Sequence, residues 1–247
     1  MDEPFFGHTN EFNDKQTRIG FIRKVYSILT IQLFVTFGSI FYVNDGYNII
    51  MHNNISNTTN AAIFMLSDDG SSLLFFSLFF MFFLMISLMC CPSISRKSPI
   101  NYIILSLLTL CISYLVSYIT IFYTIESVFL AFGMTFFITF TLSIYACQTK
   151  YDYTDKGGYL LSVLIGIIIF SFLNIFLNSN ILQSFISAIS AILFSCYIVY
   201  DTQLIVGGNH KYQIEKDEYV FAAITLYLDI INLFISLLQL FGKKNDE

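Results

Sequence analysis

The chain has 247 residues, of which 56% are hydrophobic and only 12% are charged, and its mean hydropathy is +0.70. A soluble domain of this length usually carries about twice that charged fraction. The formal net charge is −5. The longest polar stretches, 1–24 and 44–71, are too short to bury a core of their own. The composition therefore excludes a large water-soluble enzyme domain and favours a membrane protein.

Apolar stretches long enough to cross a bilayer recur along the chain, since a spanning helix needs about 20 apolar residues. The pattern predicts an all-α integral membrane protein. Its seven transmembrane helices are expected near 25–43, 72–91, 102–124, 128–146, 160–177, 181–205 and 219–240.

These segments divide the chain into a cytosolic tail (1–24), a seven-helix domain (25–241) with a non-cytosolic loop (44–71), and a C-terminal tail (242–247). No cofactor is expected, because the five cysteines show no paired spacing typical of a metal or disulfide framework.

The distribution of Lys and Arg predicts which ends face the cytosol, because cytoplasmic loops carry an excess of basic residues. The basic residues cluster before the first span and after the second, fourth and sixth, which places the N-terminus in the cytosol. Two glycosylation sequons, at Asn54 and Asn57, fall in the first non-cytosolic loop. Lys243 and Lys244 do not fit the rule. The last segment either crosses fully or dips in and returns, and its length favours a full span.

Two carboxylates lie inside predicted spans, where an ionisable residue is costly and marks function. Asp201 is near the cytosolic end of the sixth helix, and Asp229 is about halfway along the seventh. A carboxylate pair in a low-dielectric site cannot stay fully ionised, so a shared proton would make it a pH-sensitive latch. Once ionised, the pair would attract calcium, which prefers oxygen ligands. Alternatively, each Asp only caps or hydrogen-bonds a neighbouring helix. Arg96 is a possible counter-ion, or simply a determinant of orientation.

Several motifs resemble the Bax inhibitor-1 family, also called the transmembrane Bax inhibitor motif or lifeguard proteins, with the lifeguard-like branch preferred. The motifs are RIGFIRKVY (18–26), TIQL (30–33), QTKYDYT (148–154), GGYL (157–160), YDTQ (200–203), DEYVFAA (217–223) and LYLDIINLF (226–234).

The resemblance implies a seven-helix protein of the ER or Golgi whose central last helix is wrapped by the other six. It further implies calcium leak from stores and suppression of cell death. A bacterial relative is understood as a pH-sensitive calcium leak that is gated by an aspartyl pair, which Asp201 and Asp229 match. Arg96 is the nearest match to the proposed partner of that pair, whereas glutamates in helices two and four of some relatives have no counterpart in these spans.

Other classes give weaker matches. An intramembrane aspartyl protease also places two Asp residues on consecutive helices, but it has Gly-x-Gly-Asp where this chain has Leu226 to Asp229. Such a protease also needs a later Pro-Ala-Leu segment, and the three prolines here precede both Asp residues. No enzymatic activity is therefore expected. A non-conducting regulator that acts through membrane-protein partners stays open. A proton-coupled transporter is disfavoured, because no span shows a half-helix break.

Overall fold

The computed structural model describes residues 6–53, 61–90, 96–207 and 211–245. Within these ranges the chain is helical apart from short loops. We name its helices in chain order: α1 (Phe6–Asn53), α2 (Ala61–Leu66), α3 (Asp68–Cys90), α4 (Ile100–Thr120), α5 (Ile125–Gln148), α6 (Gly157–Leu177), α7 (Asn180–Val206) and α8 (Tyr219–Phe241).

Seven helices of the described chain are long and apolar enough to cross a membrane, which confirms the predicted fold class. Their bounds lie within a few residues of those expected, except at α1, whose spanning part is Gln16–Asn44. α1 is helical well before residue 25 and continues past residue 44 into the expected loop. Hydropathy misses such extensions because polar residues outside the bilayer form helix equally well. The sequons at Asn54 and Asn57 lie outside the described residues.

The last helix, α8, is the most buried span. In the most apolar 18-residue stretch of α8, 72% of the residues are buried, whereas none is buried in the corresponding stretch of α6. α8 packs chiefly against α1, α4, α5 and α7, whereas α3 packs on α4 and α6 packs on α7. The last helix is therefore central, but α3 and α6 form an outer layer rather than part of one ring around it.

One end of the bundle, which we call the basic end, is tied together through Arg18, which lies near the start of the spanning part of α1. Its guanidinium donates to the carbonyls of Leu204 (2.7 Å), Val206 (3.1 Å) and Ile214 (2.8 Å). The first two bonds satisfy carbonyls that the end of α7 leaves without helical partners, and the third fastens the loop that follows α7. Gly207 follows with φ of 64°, and a Cβ there would collide with the same guanidinium.

The opposite end, the far end, holds the C-terminus. The backbone N–H of Thr124 donates to Lys243 O (2.9 Å), and the N–H of Asn245 donates to Phe122 O (3.1 Å). These bonds fix the residues after α8 to the loop between α4 and α5, on the side opposite Arg18. The last helix therefore crosses the bundle fully, in agreement with the favoured expectation.

Hydroxyl and amide groups join α1 to α4 inside the bundle. Gln32 donates to Thr109 (3.1 Å), and Thr36 hydrogen-bonds Ser113 (2.9 Å) and Tyr227 of α8 (2.7 Å). Such bonds between helices stabilise membrane bundles, in which lipid removes most of the hydrophobic drive for association. Through Tyr227, these hydrogen bonds also connect the first span to the central one.

We expect Arg18→Gln to lower the free energy of unfolding by about 2–3 kcal/mol, because three charge-assisted hydrogen bonds are lost from a half-buried site. For a chain of this size the midpoint of thermal unfolding in neutral detergent should fall by about 5–10 °C. Arg18→Lys should recover only part of the loss, since one ammonium cannot reproduce the planar fork.

Arg23→Gln is the matched control, because Arg23 is exposed on the same helix and forms no ion pair within the described chain. Its thermal midpoint should stay within about 2 °C of the native value, as is usual for a surface substitution. Equal midpoints for Arg18→Gln and Arg23→Gln would show that the Arg18 bonds do not hold the basic end.

Candidate functional site

The structure brings the two intramembrane carboxyls together at the interface of α7 and α8. Asp201 is 6% exposed and Asp229 is 7% exposed. Their side chains are in hydrogen-bonding contact, and Asp201 also hydrogen-bonds Thr225, one turn before Asp229 on α8. The contact places two acidic groups in a site closed to water.

One oxygen of this pair has no partner. Asp229 Oδ2 is fully buried and accepts no hydrogen bond from the part of the chain that is described. Tyr197, one turn before Asp201, lies close enough to interact electrostatically with both carboxyls. A buried polar atom without a partner is costly, and this cost falls on the carboxyl pair.

The depths of the two residues explain how they meet. Asp201 lies five residues before the end of α7, or roughly 7.5 Å along the helix axis, whereas Asp229 lies ten residues into α8, or about 15 Å. Contact between groups at unequal depths along their helices requires the axes to be offset or tilted. The short loop at the basic end permits this arrangement.

The end of α7 beside Asp201 is fastened to the loop between α5 and α6. Gln203 accepts from the N–H of Tyr153 (2.7 Å) and donates to Tyr151 O (2.9 Å). Asp152, in the same loop, accepts from Thr154 N–H (2.9 Å) and from Lys211 N–H (2.7 Å). These bonds close the bundle over the carboxyl pair at the basic end.

The predicted counter-ion lies elsewhere on the basic end. Arg96 forms ion pairs with Glu215 (2.9 Å), Asp217 (3.6 Å) and Glu218 (2.7 Å) in the loop between α7 and α8. The hydrogen bond that Arg96 donates to Glu218 is the main reason that the pKa of Arg96 is raised. Arg96 thus joins the loop after α3 to the start of α8, and its role as a partner of the Asp pair stays a prediction.

A polar stripe runs along α8 from the carboxyl pair to the far end. Its members recur every three or four residues, so they share one helix face. They are Thr225, Asp229, Asn232, Ser236 and Gln239.

The stripe ends in a network at the far end that joins three helices. Gln239 Oε1 accepts from Gln183 (3.1 Å) and from Ser187 (3.0 Å) of α7, and Gln183 accepts from Asn174 of α6 (3.0 Å). Sequence reasoning missed this feature. Three- and four-residue spacing of polar residues through an apolar segment was the signal that could have found it.

Comparisons with known proteins give one consistent relationship. A family model described as "Inhibitor of apoptosis-promoting Bax1" matches residues 18–246. Protein lifeguard 3 of Homo sapiens is 30% identical over 242 residues, which cover 95% of this chain and 72% of the human protein. Protein lifeguard 3 of Mus musculus is 29% identical over 244 residues, with the same coverage of both chains.

A bacterial protein is also similar over part of its length. An uncharacterized protein of Campylobacter jejuni is 46% identical over 115 residues, which cover 47% of each chain. The family model spans nearly the whole chain, and the structure has the multi-pass helical form expected from the motifs. The chain is therefore a multi-pass membrane protein of the Bax inhibitor-1 family, related to the lifeguard proteins.

Proposed function

We propose that this protein is a pH-sensitive calcium leak of an endomembrane, the ER or the Golgi, and that it takes part in calcium homeostasis and the suppression of cell death. The observation that carries the proposal is the buried contact between Asp201 and Asp229, in which Asp229 Oδ2 lacks a partner. Packing alone does not require two acidic groups inside the membrane, because apolar residues would pack there at lower cost.

The gate rests on one shared proton. Two carboxyls in contact in a low-dielectric site hold a proton between them, which keeps α7 and α8 together. Loss of that proton leaves two negative charges that repel each other. The separated carboxylates would then present hard oxygen ligands, which suit calcium. Raising the pH should therefore open the leak.

The polar stripe of α8 supplies a route from the pair to the far end. From Asp229 toward the far end, the stripe carries amide and hydroxyl oxygens and ends at Gln239, which contacts α7. Ions cross membranes along oxygen-lined surfaces that replace part of the hydration shell. In the closed form the hydrogen bonds from Gln183 and Ser187 occupy Gln239 Oε1. Opening would free this oxygen for a passing cation.

The relatives support the cellular part of the proposal. The matching family is described as inhibiting an apoptosis-promoting protein, and the curated relatives carry the name lifeguard. The basic end collects ten of the chain's twelve Lys and Arg residues, all except Lys243 and Lys244, so the positive-inside rule puts that end and the N-terminus in the cytosol. The proposal that the conducted ion is calcium rests on the family resemblance and on the chemistry of the oxygen ligands.

A non-conducting regulator that acts through protein partners is the second candidate. This candidate is favoured by the exposure of α6, because none of the residues of α6 is buried against the rest of the described bundle. A helix this open presents its whole outer face to lipid or to the helix of another membrane protein. Flux measurements separate the two functions, because a regulator of this kind passes no ions when purified.

We expect calcium flux into proteoliposomes to rise with pH, by up to about tenfold per pH unit, because one shared proton controls the gate. Asp201→Asn and Asp229→Asn should each remove this dependence, since the remaining carboxyl has no second negative charge to repel it when it loses its proton. Initial rates between about pH 5.5 and 8.5, read with an entrapped calcium dye, give the result.

Asp155→Asn is the matched control, because Asp155 is an exposed carboxylate paired with Lys156 outside the site. Its pH profile should match that of the native protein. Purified native protein that passes no calcium at any pH would refute the leak and leave the regulator as the better account. Unchanged pH dependence in both Asp variants would refute the gate alone.

We expect Gln239→Leu to lower calcium flux by about tenfold at every pH, because one oxygen contact on the route is replaced by an apolar group at a cost of about 1–2 kcal/mol. The shape of the pH profile should not change, since the carboxyl pair is intact. Gln148→Leu, at the exposed end of α5, is the matched control. Native flux in Gln239→Leu would show that ions do not follow the α8 stripe.

A further inference from the structure

A groove of about 680 Å³ opens toward the membrane between α1 and α5. The two helices do not pack closely against each other, and Ile230 of α8 forms part of the groove floor. Aromatic rings bridge the gap toward the far end, where Phe37 meets Phe132 (centroids 4.6 Å apart) and Phe41 meets Phe129 (4.6 Å). These rings bound the groove toward the far end, and its volume is typical of ligand sites.

The lining is mostly apolar, although Thr135 also lines it nearer the far end. Toward the basic end Tyr26 of α1 lies against Thr202 of α7 and against Ser143 and Cys147 of α5. Thr139 also lines the groove, and its buried hydroxyl has no partner in the described part of the chain. From Tyr26 to Phe37 the groove extends about 16 Å along α1, roughly half of a hydrocarbon core of about 30 Å. That length matches one leaflet.

Two basic residues flank the open mouth. α1 and α5 run in opposite directions, so Arg23, three residues before Tyr26, lies about one helical turn further out along α1. Lys150 lies at the same end of the bundle, two residues after α5 ends at Gln148. Both side chains are exposed, and neither forms an ion pair among the described residues. Arg and Lys at this level suit a phosphate group.

We propose that this groove binds an anionic phospholipid of the leaflet at the basic end. One acyl chain lies between α1 and α5 on Ile230, the polar backbone of the lipid meets the hydroxyls near Tyr26, and the phosphate lies between Arg23 and Lys150. An acyl chain is the occupant that the geometry selects, because the groove opens sideways into the hydrocarbon and its rim includes Phe34, which is 80% exposed. Basic pockets between spanning helices on the cytoplasmic side bind anionic headgroups by the same chemistry.

The chain has no tryptophan, so the fluorescence of one introduced tryptophan reports on its position alone. Phe34→Trp places one fluorophore on the groove rim, and Phe172→Trp places one on the outer face of α6, where Phe172 is 59% exposed. Each variant is reconstituted in phosphatidylcholine, and phosphatidylglycerol or phosphatidylcholine with brominated acyl chains is titrated in as the quencher. We expect the Phe34→Trp signal to be quenched at an about 25-fold lower mole fraction of phosphatidylglycerol than of phosphatidylcholine, because two basic side chains contribute about 1 kcal/mol each. The Phe172→Trp signal should respond equally to both lipids.

Removing the basic residues tests the headgroup. In the Phe34→Trp background, Arg23→Gln and Lys150→Gln should each reduce the preference by about fivefold, because one basic side chain near an anionic surface contributes about 1 kcal/mol. Lys97→Gln removes a charge from the same end away from the groove and is the matched control. Equal quenching of Phe34→Trp by both lipids, or a preference that survives removal of Arg23 and Lys150, would overturn the site.

Filling the groove tests the acyl chain. Gly38 lines the groove, and a Cβ added there meets no atom within 4 Å, so Gly38→Leu can occupy the space without moving the backbone. Gly38→Leu should abolish the preference for phosphatidylglycerol. Gly166→Leu on α6, which is equally free of neighbours, should retain it. A full preference in Gly38→Leu would show that the lipid does not enter the groove.

Discussion

The contact between two carboxyl groups inside the membrane is the constraint on which the rest of this structure depends. Asp201 and Asp229 are buried, no basic side chain among the described residues forms an ion pair with either, and Arg96 pairs with three other acidic residues. Two buried carboxyls at contact distance cannot both be ionised. In the proposed gate the arrangement of α7 and α8 is therefore linked to the occupancy of one proton, and the surrounding helices hold that arrangement in place.

The residues that make the family recognisable are largely the ones that hold the basic end closed. Arg18 binds three carbonyls at and after the end of α7, Gln203 fastens that end to the neighbouring loop, and Asp152 joins the same loop to Lys211. Each side chain bonds to backbone groups of another segment, so its chemistry and length are both constrained. The motifs therefore mark a closing structure around the carboxyl pair as well as the pair itself.

Much of the fold could be predicted because hydropathy reports burial in lipid directly. The seven spans agree with the structure within a few residues, apart from α1. Two features escaped prediction for a physical reason. The partners of Arg96 lie about 120 residues away in sequence, and nothing local distinguishes a counter-ion of buried carboxyls from one that pairs with loop acids. The stripe from Thr225 to Gln239 consists of ordinary polar residues, which become a continuous face only when placed on the central helix.

The burial of the spans also indicates which helix could move when the carboxyls separate. Displacing α8 would disrupt contacts with four helices and expose a span in which 72% of the window is buried. Displacing α7 would disturb a span in which 33% is buried, and its outer neighbour α6 has no buried residue to lose. Because the cost of separation grows with the packed area that is lost, movement of α7 together with α6 costs less than movement of the central helix. α7 is therefore the helix that must be restrained, and the hydrogen bonds of Arg18 and Gln203 lie at its end, where they can restrain it.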